Sequence, residues 1–306
     1  MRATHRLQAV LVAALWGVNF VVIDVGLREL PPLVLTALRF LAAALPLALL
    51  LPRPTARLRY VVGYGLLLGV GKFGTLFVAI HVGMPPGLAS LVLQAQALIS
   101  VLFAALLLRE RPGGGQLVGV LTGSAGIALL ALGGGGHASA LGFALTLVAA
   151  LSWALANVVV RASGETRPLS LLVWSSLVPP VPLLGLAVLV DGPAATVDAV
   201  TTLSWRAVFA VAFIGYLSTL AGFTVWNRLI ATYTVARVAP FSLLVPVVGI
   251  AASALLLGER VTPMEVVAGA VVLTGLALVV RPGVRRPVAS GAATQPSPAF
   301  HRESAG

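Results

Sequence analysis

Ten long apolar runs, each closed by a proline, glycine or arginine cluster, account for most of this 306-residue chain. They fall at about 7–27, 33–51, 60–80, 86–108, 115–132, 139–160, 168–190, 205–228, 236–257 and 263–281. The hydrocarbon core of a bilayer takes a helix of roughly 20 apolar residues, so ten would use about 200 and leave about 100 for loops and tails. Composition agrees: 59% of the chain is hydrophobic and 9% charged, against about 45–50% and about 25% in a soluble domain. Such a chain lacks the polar surface to cover a soluble globule. The runs are continuously apolar and too long for barrel strands, which excludes a β-barrel. The first run continues past Asn19 and Asp24 and reads as a membrane helix, not a cleaved signal.

The net charge of +11 does not describe a nucleic-acid surface, because the arginines sit in short loops and form no continuous basic face. Their placement is a topology signal. With the N-terminus in the cytoplasm, fifteen of the twenty Lys and Arg residues fall on the cytoplasmic side. Arg28, Arg206 and Arg260 fall on the outer side, while Arg39 and Lys72 lie within spans. That bias sets both termini inside an inner or plasma membrane. The Pro/Ser/Ala-rich stretch 282–306 reads as a disordered cytoplasmic tail. Cysteine is absent, which removes disulfides, thiolate nucleophiles and cysteine metal sites. His5, His81, His137 and His301 show no metal-ligand spacing. No metal or cofactor is expected. There is no Walker A motif in a strand–loop–helix context, so ATP-driven transport is not expected of this chain.

The chain repeats itself. LLLRER (Leu106 to Arg111) returns as LLLGER (Leu255 to Arg260), and Gln116, Gly119 and Gly126 are echoed at the same offset by Glu265, Ala268 and Gly275. Ala14-Leu15-Trp16-Gly17 pairs more weakly with Leu151-Ser152-Trp153-Ala154. The reading is two five-helix halves, 1–135 and 136–281. Five is odd, so the second copy must enter the membrane inverted. Inverted repeats put a binding site near the midplane and permit alternating access. Local pairing of Glu110 with Arg111 and of Glu259 with Arg260 is expected in the two Glu-Arg loops.

Several stretches resemble the EamA-type permeases of the drug/metabolite transporter superfamily. They are Trp16 to Phe20, Leu38-Arg39-Phe40, Gly83-Met84-Pro85 with Gly87 to Gln96, Arg237 to Pro240 with Ser242 to Gly249, and the two Glu-Arg loops. The resemblance covers nearly all of residues 7–281. It implies an all-α membrane protein of ten helices in two EamA repeats, acting as a secondary transporter. Within the family, the likeness to amino-acid metabolite exporters implies efflux of cysteine-pathway compounds such as O-acetylserine or cysteine. The alternative is export of another small metabolite or of a drug-like cation. The partners are then a small-molecule substrate and the lipid bilayer, with protons a candidate coupling ion and a homodimer a candidate assembly.

Ionisable groups inside a membrane are costly and face a cavity or a partner. Lys72, near mid-depth and flanked by Gly69, Gly71 and Gly74, is the first candidate to bind a substrate carboxylate. Asp24 and Arg39, on antiparallel neighbours, are read as a pair at similar depth, with Asp24 a coupling or gating candidate. Trp16, Asn19, Gln94, Gln96 and Tyr216 are further substrate-binding candidates. Gln94 and Gln96 diverge by about 200° on a helix, so one faces the cavity and the other a neighbouring helix. Trp153, Asn157, Ser218, Thr219 and Trp226 are weaker candidates. Pro240 and Pro246, interrupting the ninth span, are gating candidates. Lys72, His81 and Glu259 are all open as proton carriers. An intramembrane enzyme would need paired carboxylates or a His/Glu set at one depth, and the spans hold neither.

Overall fold

The computed structural model describes residues 1–107, 112–132, 138–233 and 235–280. Among the described residues the chain is helical throughout, with no strand. Nine helices among the described residues are long and apolar enough to cross a membrane. They are α1 (Ala3–Leu27), α3 (Leu58–His81), α4 (Pro86–Phe103), α5 (Gly114–Leu132), α6 (Ala140–Ser163), α7 (Pro168–Asp191), α8 (Trp205–Tyr233), α9 (Ala239–Leu257) and α10 (Pro263–Val280). A tenth apolar helix, α2 (Pro32–Ala48), has 17 residues. It stops short of the apolar run expected to 51 because Leu49–Leu51 turn ahead of Pro52, and a residue before proline avoids the α region. A short helix, Pro193–Thr201, links α7 to α8. The tail 282–306 and the first Glu-Arg loop lie outside the described residues.

Local chemistry sets the ends. Proline occupies the first position of α2, α4, α7 and α10, where its missing N–H costs nothing. Ser139 and Ser204 cap α6 and α8, their hydroxyls accepting from the Gly142 and Ala207 N–H groups. Thr262 and Glu265 form a reciprocal capping box at α10: the Thr262 N–H donates to Glu265 Oε2 at 2.8 Å and the Glu265 N–H to Thr262 Oγ1 at 3.2 Å.

Packing crosses between the halves in a swapped pattern. α1 lies against α8 and α9, as α6 lies against α3 and α4; α2 meets α8, as α7 meets α3. α2 with α7, α4 with α9 and α5 with α10 complete the set. The α5–α10 seam is the most intimate. A Cβ on Gly119 would stand 2.6 Å from the Gly275 carbonyl oxygen, so only glycine lets these backbones touch. One apolar core draws on both halves, joining Phe20, Ile23 and Phe77 to Ala150, Ile214 and Val272.

Among the described residues, regular helix fails inside four of the spans. α3 widens to a π-helix over Leu66–Gly74, and α8 does the same over Phe213–Ala221. α4 turns at Leu93 and Gln94, and α7 breaks between Ser176 and Pro179. Irregular backbone is tolerated at membrane depth only where it is buried in protein or lines a cavity.

Candidate functional site

The two π-helical stretches are each nine residues long and lie in the third and eighth apolar helices. Aligned on one another, they put Lys72 and Thr219 at the same seventh position. A π turn spreads the i to i−4 ladder and is found mostly at functional sites. Here it presents a cation in one helix and a hydroxyl in the other.

Lys72 and Arg39 are both almost fully buried and meet on one aromatic ring. The Arg39 guanidinium carbon stands 3.7 Å from the Phe73 centroid and the Lys72 Nζ 4.1 Å from it. Lys72 also rests over Trp153 at 3.3 Å, and Arg39 over Phe40 at 4.6 Å. Arg39 Nη2 donates to Thr219 Oγ1 at 2.7 Å, and that hydroxyl donates to the Ile214 carbonyl at 2.7 Å. Arg39 Nε and Nη1 are buried without a partner. Among the described residues no carboxylate lies within ion-pair distance of either cation. A desolvated cation–π contact is worth about 2 kcal/mol, whereas the desolvation penalty of a buried ion is several kcal/mol. Each cation meets two rings, so these contacts offset part of that cost.

The expected Asp24–Arg39 pair does not form. Arg28, four residues along the same helix end, takes Asp24 at 2.7 Å. Depth explains this: Asp24 is three residues from the end of α1, about 4.5 Å, while Arg39 is seven residues into α2, about 10 Å, at 1.5 Å per residue. Asp24 thus sits at the rim with its charge met.

Trp16, of the same half as Lys72, reaches across to α8 beside Thr219. Its indole donates to the Ser218 carbonyl at 3.0 Å, and its ring packs on Trp226 and Phe223. It reaches the α8 π turn as Trp153 reaches that of α3. Asn19 is buried with Oδ1 unpartnered. Gln94 is buried at the turn in α4, while Gln96 accepts from Asn157 Nδ2 on α6 at 3.2 Å. Tyr216 is half-exposed and makes no hydrogen bond or ring contact with either cation. Pro240 stands in the 3-10 turn Ala239–Leu243 and Pro246 in the first turn of the α-helix that follows. Both lie in the first half of α9, where the 3-10 turn passes into α-helix. Phe73, the ring shared by the two cations, carries no signal in the sequence beyond its adjacency to Lys72.

At the opposite end from Asp24, Glu165 ties two loops together. It accepts from the Ala56 and Arg167 N–H groups at 2.8 and 2.9 Å and from the Thr55 hydroxyl. Burial works against its ionisation, but these donors outweigh it and hold its carboxyl below the usual carboxylate range.

Ionisable side chains at depth, broken helices and an all-helical membrane body define a membrane transporter. The EamA-like transporter family model matches residues 6–132 and again residues 140–281, and the chain belongs to that family. A "Probable amino-acid metabolite efflux pump" of Escherichia coli (strain K12) is 42% identical over 274 residues, which is 88% of this chain and 92% of that protein. A protein of the same name from Salmonella typhimurium is 41% identical over the same shares. An uncharacterized transporter of Bacillus subtilis is 29% identical over 87% of this chain and 88% of its own length. A solved structure matches with a TM-score of 0.60 at 22% identity, covering 95% of this chain and 100% of that one; that likeness bears on the fold alone.

Proposed function

We propose that this chain exports small amino-acid-like metabolites, cysteine-pathway compounds such as O-acetylserine or cysteine among them, by alternating access. In this reading all ten apolar helices span the membrane as two inverted five-helix repeats, with both termini in the cytoplasm. The swapped packing supports it, since each helix of one half meets the partners that its counterpart meets in the other. The name carried by the efflux-pump relatives supports the substrate class.

The observation that carries the proposal is the pair of buried cations on Phe73. Lys72 and Arg39 hold the substrate carboxylate, with the Arg39 Nε and Nη1 donors free for it. Trp153 and Phe73 offer ring faces for the rest of a small zwitterion. Asp24, already paired with Arg28, offers no counter-charge to a cationic drug, so the anionic end of the substrate governs recognition.

The test is uptake of radiolabelled O-acetylserine and cysteine into inverted vesicles, with and without a pH gradient. Uptake by the wild-type chain and its loss in Lys72→Met, with normal membrane insertion, is the expected result. Undiminished uptake by Lys72→Met removes the anchor, and no uptake of any amino-acid derivative removes the substrate class.

A further inference from the structure

A second polar centre lies far from Lys72, at the face that carries Asp24. There the loop between α9 and α10 projects Glu259 across the junction of the two halves. Its Oε2 accepts from the Gly87 N–H, at the start of α4, at 3.2 Å. The expected pairing with Arg260 does not form; Arg260 is exposed, and the carboxylate turns inward instead. Glu259 lines a cavity of about 450 Å³ with Pro85 and Leu88 of the first half and Ile250, Leu257 and Glu265 of the second.

Arg260 lines the same cavity but is exposed and makes no ion pair with Glu259; the other charges nearby are held elsewhere or share its sign. Asp24 of α1 is held by Arg28. Glu265 of α10 is engaged by the Thr262 N–H. α4 offers only a backbone N–H, and Ile250 and Leu257 make the α9 side of the cavity apolar. Glu259 is therefore a half-buried carboxylate facing two others, with one amide donor to hold it.

We propose that Glu259 is a proton-binding latch, whose protonation seats it against α4 and closes the two halves on this face, and whose ionisation drives it out into the cavity. The proposal deepens the exporter reading and rests on it for its meaning; in the orientation given there, this is the outer face. Burial raises the Glu259 carboxyl, the Gly87 N–H partly offsets this, and the charges of Asp24 and Glu265 add to it, leaving it pushed up to about 7. The sign follows from linkage. A carboxyl raised in the seated position and ordinary in solvent binds its proton more tightly when seated, so acid favours the latch and alkali opposes it.

The chain has no cysteine, so a nitroxide pair is introduced cleanly at two exposed positions, His81→Cys at the end of α3 and Val261→Cys in the α9–α10 loop. The full-length protein in lipid nanodiscs is read by pulsed dipolar spectroscopy from pH 5.5 to 8.5. The expected distribution is narrow in acid and broadens with a midpoint near 7. Glu259→Gln, which imitates the protonated side chain, stays narrow throughout. Gly87→Ala, whose Cβ would stand 2.8 Å from Glu259 Oε2, stays broad throughout. A wild-type distribution indifferent to pH, or one that titrates equally in Glu259→Gln, overturns the latch. The measurement uses no substrate, so it stands or falls apart from the Lys72 experiment.

Discussion

At Phe73 a single ring carries two buried cations, and the two are not equivalent. The planar guanidinium of Arg39 both stacks on the ring and directs a donor to Thr219, whereas Lys72 is a point charge over two rings. Arg39→Lys keeps the charge but loses the fork. Its expected effect is a roughly tenfold rise in the apparent KM for the carboxylate substrate, about 1.4 kcal/mol, with unchanged insertion, measured by initial uptake rates in vesicles. Lys72 was legible in the sequence because a lysine among glycines in the middle of an apolar run has no ordinary use there. Arg39 was legible as a buried ion but given the wrong partner, since sequence distance from a turn does not equal depth when two helices run different distances from it. Phe73, one of eleven phenylalanines, was invisible, because nothing in an apolar stretch says which ring lies beneath a charge.

Among the elements, the α5–α10 seam depends on glycines that face each other. Gly275→Leu would force its side chain into the backbone of α5 around Gly119 and Gly123. Overpacking of this kind costs about 1–3 kcal/mol, so the apparent Tm in detergent is expected to fall by several degrees. Thr274→Leu, at an exposed neighbouring position, should leave Tm unchanged. The apolar runs located these helices to within a few residues, because a membrane helix is written in length and hydropathy alone. The π turns of α3 and α8 were not legible. A widened turn leaves composition and mean hydropathy as they were, and only packing decides where it is stable.

Taken whole, the molecule has inter-half ties at both ends, Glu165 binding the α2–α3 loop to the α6–α7 loop and Glu259 binding the α9–α10 loop to α4. In the inverted arrangement proposed above, these are opposite faces of the membrane. Single cysteines at Thr55 and at Thr202, introduced into this cysteine-free chain, should react with a membrane-impermeant maleimide from opposite sides. Thr202→Cys is labelled in intact cells and Thr55→Cys only after permeabilisation; labelling of both from one side contradicts the topology. The LLLRER and LLLGER motifs are the argument the sequence offers for a repeat, but they say nothing of how α1 and α6 pack against the other helices. Trp16 of the first half fills in against α8, and Trp153 of the second against α3. Each half thereby lends its indole to its counterpart's wide turn. A solitary five-helix unit would be an unfinished object, holding a plug for someone else's gap and a gap of its own. Under the inverted-repeat reading, one such unit needs a second, oppositely inserted copy to fill its wide turn.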